Sequence, residues 1–190
     1  MTARLHRLSA LAFAGLATAS CAAHAPAPAA TPDPCATTVC RPAKSIILQQ
    51  QGKGQFIFNS PAARYVINDV VIVEPGDDVY VTGDDRDGSL VNLRRVDPPG
   101  AGATNVIHLT YKQDQLANGA FIMLLGVESS FPRILVYRAV AMGPTNPMFV
   151  TSTCPLNPGH LMIETWPQPL WQILLSNFRA STDGRTCKVY

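Results

Sequence analysis

The chain has 190 residues, 47% of them hydrophobic, with 15 lysines and arginines against 13 aspartates and glutamates. This length is sufficient for one domain with a hydrophobic core. The nearly neutral charge balance lacks the basic surface that nucleic-acid binding requires, and it also lacks a polybasic segment for anionic lipid surfaces.

The first 25 residues have the pattern of a signal peptide. Arg4 and Arg7 lie before or beside the apolar run "LSALAFAGLA". A charged segment followed by a short apolar run is typical of export and is too short to span a bilayer. Both "SCA" and "AHA" satisfy the small-x-small rule, so the cut falls after Ala22 or after Ala25. Because both arginines leave with the signal peptide, the 15 basic residues become 13, which equals the number of acidic ones.

A second processing route remains open at Cys21. The stretch "TASC", residues 18–21, resembles the lipobox of bacterial lipoproteins. The resemblance implies cleavage before Cys21 and a lipid on that residue. Residues 26–43 are rich in proline and alanine and predict an extended, semi-rigid linker that holds a small cysteine loop. We therefore expect an exported protein, periplasmic or extracellular, with an outer-membrane lipid anchor as the alternative form.

Four cysteines remain after any of these cuts: Cys35, Cys40, Cys154 and Cys187. An even number of cysteines in an exported chain predicts two disulfides. We favour Cys35–Cys40, which closes the loop "CATTVC", and Cys154–Cys187, which ties the C-terminal end to the body. The alternative is that both N-terminal cysteines pair with the C-terminal ones.

From residue 45 onward the pattern is one of strands and turns. "SIILQQQ" and "QFIFNS" flank "GKG" and predict a hairpin in which Phe56 and Phe58 share one face while Ile57 takes the other. "RYVINDVVIV" and "DVYV" flank the turn "EPG". "DRDGS" contains Asp-Gly and predicts a hairpin between "DDVYVTG" and "SLVNLRRV". "NVIHLTYKQ", "AFIMLLGVESS" and "RILVYRAVAM" follow, and residues 121–127 are apolar on both faces, as in a central strand.

About eight short strands separated by glycine and proline turns predict an all-β domain over residues 44–190. We expect a single antiparallel β-sandwich of immunoglobulin-like architecture, followed by an irregular C-terminal segment tied by a disulfide. In that segment Pro169 begins either a short helix with Leu170, Ile173 and Leu174 facing inward or a final edge strand. We favour the strand, because Cys187 needs an anchor close to Cys154.

Two stretches, "VIVEPGDDVYV" and "CPLNPGHLM", resemble the cupredoxins, the blue-copper sandwiches. The resemblance implies a copper site formed by Cys154, His160 and Met162, with His108 as the earlier imidazole. Leu161 alone separates His160 from Met162, whereas the family places three or four residues there. We favour a disulfide at Cys154 and keep copper binding as an alternative.

The acidic residues Glu74, Asp77, Asp78, Asp84, Asp85 and Asp87 lie close together in the sequence. The stretch "GDDRDGS" has some similarity to a calcium loop, which needs oxygen ligands at alternate positions and a late glutamate. Gly83 occupies the first ligand position and Arg94 the last, so turns are favoured.

Catalytic signatures are absent from the sequence. It contains no G-x-S-x-G, H-E-x-x-H or P-loop motif, and His108 and His160 are the histidines of the predicted domain. We expect no enzymatic activity and no cofactor, with a small secreted hydrolase as an alternative.

The two tryptophans of the chain, Trp166 and Trp171, flank Pro167 and Pro169. If exposed, they would suit a protein partner or a sugar, although a role in sealing the core is favoured. The sequence as a whole predicts a non-enzymatic accessory or interaction module of the bacterial cell envelope. It would recognise a protein partner through strand addition at a sheet edge or through the tryptophan-rich tail. The alternatives are a cupredoxin-like copper protein, a secreted hydrolase and a carbohydrate-binding module.

Overall fold

The computed structural model describes residues 35–36, 38–100, 102–144 and 148–190. Fourteen β-strands and no helix occur in these residues. Their bounds are β1 Cys40–Arg41, β2 Lys44–Gln50, β3 Gly54–Ser60, β4 Ala63–Arg64, β5 Val66–Ile67, β6 Val70–Val73, β7 Asp77–Arg86, β8 Ser89–Val96, β9 Ile107–Gln115, β10 Phe121–Ser129, β11 Leu135–Met142, β12 Phe149–Thr151, β13 Leu161–Trp166 and β14 Gln172–Ala180.

Two hairpins form where the turn chemistry predicts them. Strands β2 and β3 are joined by the Gly-Lys-Gly turn, and their pairing begins at Gln50↔Gly54. Strands β7 and β8 meet at Asp87 and Gly88, which both have positive φ, 50° and 82°. Such a turn matches the right-handed twist of its flanking strands, which is why Asp-Gly is a strong hairpin signal. Both predicted hairpins are confirmed.

The segment "RYVINDVVIV" was expected to be one strand, and this expectation is wrong. Asn68 and Asp69 have φ values of 49° and 59° and form a tight turn. The chain reverses there, and β5 pairs antiparallel with β6. Asparagine and aspartate tolerate the left-handed region better than other non-glycine residues, so Asn-Asp is itself a turn signal.

Most strands belong to one ten-stranded sheet whose main path is β12-β11-β14-β8-β7-β9-β10-β13. Strand β14 pairs with β11 along one edge, while its other edge pairs first with β6 and then, at Arg179↔Ser89, with β8. On this edge of β14 the sheet therefore splits into two branches, one that continues through β6 and one that continues through β8, and the core lies between the parts of the sheet. All pairings between strands are antiparallel, which confirms the all-β antiparallel prediction and is consistent with a sandwich. The immunoglobulin-like arrangement is not confirmed.

The core lies between these parts and is formed by alternate residues of the long strands, as the pleat requires. The hairpin β2–β3 closes one side of the core with Ile46 and Leu48, which are buried. Phe56 and Phe58 face the same way, whereas Ile57 is exposed, as predicted. Strand β10 pairs with β9 and with β13, so the prediction of a central strand is confirmed.

The C-terminal segment forms a strand, as favoured, but this strand is not at an edge. Strand β14 has partners along both sides, and Ile173 and Leu175 are fully buried. The alternative of a helix that begins at Pro169 is wrong, because the segment from Gln172 alternates between buried and partly exposed positions with the period of a strand. At the other end of the domain, Arg41, which the sequence placed in the linker, lies in β1 and is fully buried.

Both favoured disulfides are confirmed. Cys35 pairs with Cys40 at a Cα–Cα distance of 5.6 Å, and Cys154 pairs with Cys187 at 4.0 Å. Two disulfides are typical of an oxidising, extracytoplasmic environment. The signal peptide, the cleavage positions and Cys21 lie outside the described residues. No helix in the described part of the chain is long and apolar enough to cross a membrane.

Candidate functional site

The structure does not assemble the copper ligands that the cupredoxin resemblance implied. The sulfur of Cys154 is bonded to Cys187, so it is not available as a thiolate. Cross-strand pairing places His108 in one row with Glu128 and Leu161. Met162, the next residue along β13, therefore lies on the opposite face of the sheet from His108. In the described residues no group of three or more His, Cys, Asp or Glu side chains is arranged to hold a metal ion.

The two histidines have other partners. The His108 ring stacks on Tyr80 with ring centroids 4.2 Å apart, and its Nε2 lies 2.8 Å from Oδ1 of Asp78. His160 lies on an exposed loop, where its Nδ1 donates a 2.8 Å hydrogen bond to the carbonyl oxygen of Pro158. Each imidazole is thus held by contacts within the protein, and neither position requires a bound metal to explain it.

The acidic residues of the β7–β8 hairpin serve the turn and its ion pairs. Asp84 accepts hydrogen bonds from Arg94 at 2.9 Å and from Asn92 at 3.0 Å, and these donors lower the pKa of Asp84. Asp85 accepts a hydrogen bond from the Gly88 N–H and pairs with Arg133, and the Arg133 hydrogen bond is the main cause of its lowered pKa. This arrangement is that of a turn, as the sequence favoured.

Glu74 and Asp77 belong to a buried ionic cluster that sequence reasoning missed. Arg41 donates from Nη2 to Glu74 at 2.9 Å and from Nη1 to Asp77 at 3.0 Å. Lys44 lies 2.6 Å from the other oxygen of Asp77 and donates to the Pro75 carbonyl. We call these four charged side chains the Arg41 cluster. It fastens β1 and the start of β2 to the turn between β6 and β7.

Trp166 and Trp171 do not form an exposed platform. Trp166 is only 6% exposed, and its Nε1 donates a 3.0 Å hydrogen bond to Oγ1 of Thr151. The ring of Trp171 stacks on Phe58 at 4.9 Å and packs against the core while remaining partly exposed. Trp166 therefore belongs to the core, as the sequence favours, and it is not available as an exposed interaction residue, whereas Trp171 is partly covered.

Strand β13 presents an open sheet edge. It pairs with β10 alone, in six consecutive residue pairs from Met123↔Trp166 to Glu128↔Leu161 without a register shift. No backbone hydrogen bond joins its opposite edge to any other residue that the structure describes. The backbone donors and acceptors on that edge are the groups that an added strand would use.

The outer face of β13 is apolar although it is exposed. Leu161 is 59% exposed and Ile163 is 54% exposed. Ile163 is paired with Gly126 of β10, and a Cβ atom on that glycine would lie 3.4 Å from Cδ1 of Leu161. Because residue 126 has no side chain, both large residues keep an uncovered surface beside the edge.

The inner face of β13 carries one charged residue. Met162 packs against the core and Trp166 belongs to it, whereas Glu164 between them accepts a 2.7 Å hydrogen bond from the Cys154 N–H. Burial raises the pKa of Glu164, and the Cys154 hydrogen bond opposes this rise in part. Strand β13 therefore carries exposed apolar side chains on its outer face and the partly desolvated carboxylate of Glu164 on its inner face. Together, its open edge and its outer face are called the β13 edge below.

No family model, no curated protein and no solved structure matches this chain significantly.

Proposed function

We propose that this protein is a non-enzymatic, extracytoplasmic interaction module of the bacterial cell envelope. It recognises a protein partner by accepting an extended segment of that partner as a new strand at the β13 edge. The observation that supports the proposal is the combination of an open edge on a six-residue strand, which pairs with β10 on its other side only, with an exposed apolar face. Main-chain hydrogen bonds supply affinity in such complexes, and alternate side chains supply specificity.

The composition of β13 supports this use of the edge. Proteins protect free edges with short strands, prolines, bulges, lysines and inward-pointing charged residues. The one inward charge of β13, Glu164, is already hydrogen-bonded to the Cys154 N–H. β13 has six residues and contains neither lysine nor proline, and its pairing has no bulge. The other end of this sheet is strand β12, which has only three residues and is thus a poorer template. Strand β3 of the separate two-stranded sheet has seven residues, but on its outer face Ile57 lies between the polar side chains of Gln55 and Asn59.

The two faces of β13 define the chemistry of the partner segment. Its outward side chains should be apolar, because they would lie beside Leu161 and Ile163. One inward side chain should be lysine or arginine, since an added strand would desolvate Glu164 further and a buried carboxylate needs a cation or donor. The partner segment is therefore an extended peptide with one apolar face and a basic residue on the other.

The proposed location outside the cytoplasm and the proposed lipid anchor are supported by different observations. The two disulfides support an oxidising, extracytoplasmic location. Release into the periplasm or medium, or anchoring through Cys21, follows from the sequence of the first residues. In either form the domain would act as an accessory unit of an envelope complex.

The test places a photo-crosslinking amino acid at position 163 in the native host. The matched control carries it at position 57, since Ile57 is similarly exposed, at 58%, in strand β3. The crosslinked partner segment is mapped by mass spectrometry, synthesised as a peptide and titrated into the ¹⁵N-labelled protein. We expect crosslinks at 163 alone, and slowed exchange of those amides in residues 161–166 that point away from β10 when the peptide binds.

Substitution distinguishes strand addition from adhesion between apolar surfaces. Ile163→Lys places a gatekeeping charge on the edge and should weaken peptide binding at least about tenfold, whereas Ile57→Lys should leave it unchanged. Equal crosslinking at both positions, or a crosslink at 163 only to a second copy of this chain, would overturn the proposal.

A further inference from the structure

A groove of about 370 Å³ lies on the surface between strands β4 and β5 on one side and β8 on the other. Arg64, Tyr65 and Val66 form the first wall, and Leu93, Arg94 and Arg95 form the second. Thr38 and Val39 complete the lining. The lining therefore includes three arginines and no carboxylate, although the whole chain is nearly neutral. Because Arg94 and Arg95 are consecutive in β8, their side chains lie on opposite faces of the strand, and Arg95 shares its face with Leu93.

Arg95 has donors available for a ligand in the groove, and Arg94 has the same donors on the other face of β8. Arg94 and Arg95 each use Nη1 for a carboxylate, Arg94 with Asp84 and Arg95 with Asp97. The Nη2 and Nε groups of both residues are not used in these pairs. Because Asp97 is 88% exposed and the Arg94–Asp84 pair is exposed too, both pairs are screened by water and are easily exchanged for another anion.

The rest of the lining is aromatic and apolar. Tyr65 is partly exposed, and the Arg41 guanidinium lies 5.6 Å from its ring centroid. Burial raises the pKa of Tyr65, so its phenol stays neutral and brings no negative charge to the groove. Val39, which is exposed, and Val66 give the groove an apolar surface. A ring with hydroxyl groups can pack against such a surface and hydrogen-bond to the phenol.

We infer that this groove binds a small anionic sugar, a sugar ring that carries a carboxylate or a phosphate. Guanidinium groups match the planar geometry of both oxyanions and bind them with two parallel hydrogen bonds. The volume lies within the range of small-ligand sites. The groove is separated from the β13 edge by strands β7, β9 and β10. The inference therefore does not depend on the proposed strand addition.

The test is an NMR titration of the ¹⁵N-labelled protein with four probes: glucuronate, glucose 6-phosphate, glucose and inorganic phosphate. We expect amide shifts in β4, β5 and β8 with glucuronate, with glucose 6-phosphate or with both, and the responding probe identifies the oxyanion. Glucose should not bind, and inorganic phosphate should bind more weakly than the responding sugar. Binding of glucose at equal strength, equal binding of inorganic phosphate, or no response to either anionic sugar at millimolar concentration overturns the inference.

Matched variants locate the site. Arg95→Gln should weaken binding about tenfold, because it removes a charged donor to the oxyanion. Arg94→Gln removes the same charge from the other face of β8 and should weaken binding less. The control is Arg86→Gln, which removes the same charge from an exposed position of β7 outside the groove. An equal loss in Arg86→Gln would show unspecific attraction to positive charge and would contradict the assignment. A thermal melt of each variant confirms that the domain is folded.

Discussion

The substitution Arg41→Met tests the Arg41 cluster most directly. Arg41 and Glu74 are fully buried, and Asp77 is almost so. Methionine retains a long apolar side chain in place of the arginine stem but removes the guanidinium, which bonds both carboxylates. Lys44 then remains as the cation of the cluster, and of the two carboxylates it contacts Asp77 only. Glu74 would be left as a buried carboxylate without a cation.

The size of the effect follows from this loss of neutrality. The four charged groups of the cluster sum to zero in the native protein, and to one uncompensated negative charge in the variant. Removing one partner of a buried ion pair typically lowers the free energy of unfolding by about 3–5 kcal/mol. Because a domain is stable by only about 5–15 kcal/mol, the loss is a large fraction of the total. With a urea m-value of about 2 kcal/mol/M, the unfolding midpoint should fall by roughly 2 M.

Urea unfolding followed by the fluorescence of buried Trp166 measures this change. The double variant Arg41→Met/Glu74→Gln should recover part of the loss, since it also removes the uncompensated charge. The control Arg94→Met breaks an exposed pair and should not move the midpoint measurably. A loss below about 1 kcal/mol in Arg41→Met, or a double variant that loses the sum of both single effects, would refute the reasoning.

Three further predictions concern the inner face of β13, the disulfides and the centre of β10. Burial raises the pKa of Glu164 in the folded state, so its ionised form costs stability, and this cost disappears as pH falls through the raised pKa. Glu164→Gln should therefore be more stable than the native protein at neutral pH and equally stable near pH 3 in thermal melts, and an unchanged difference across that range would contradict the shift. Replacing both cysteines of Cys154–Cys187 by serine should cost more, about 4 kcal/mol, than the same change at Cys35–Cys40, about 2 kcal/mol, because the loops span 33 and 5 residues; urea unfolding showing equal losses would count against this entropic account. Gly126→Ala should lower the melting temperature, as its Cβ would lie 2.5 Å from Oγ1 of Thr110, and an unchanged melting temperature would show that this neighbour moves freely.

Local signals in the sequence identified local structure correctly. The Asp87–Gly88 turn and the Gly-Lys-Gly turn predicted two hairpins because positive φ is required at fixed positions of such turns. The Cys35–Cys40 pair was predictable because its partners are only five residues apart. The Asn68–Asp69 turn carried a similar signal, but the apolar residues on both sides favoured one continuous strand instead.

Contacts between distant segments were not predictable in the same way. Arg41 is separated from Glu74 by 33 residues and from Asp77 by 36. The segment that contains Arg41 is rich in proline and has the composition of a linker. Only the folded chain shows that two buried carboxylates neutralise this arginine. The position of β14 has the same cause. Alternating apolar residues indicate a strand, but they do not indicate how many neighbours it has. The sequence therefore predicts an edge strand where the fold has a central one.

The β13 edge depends on such non-local information as well. In "LMIETW" apolar residues occupy both faces, so the sequence does not tell which of them faces the core. The structure turns Met162 and Trp166 inward together with Glu164, and leaves Leu161 and Ile163 outside. An edge strand is expected to place polar side chains outward and apolar side chains inward. In β13 the outward Leu161 and Ile163 depart from this rule, and on the inner face Glu164 alone does so. A partner strand would correct both departures at once, covering the exposed apolar pair and supplying a cation to the inward carboxylate. For this reason β13, rather than the shorter edge at β12, is the surface on which the proposed function rests.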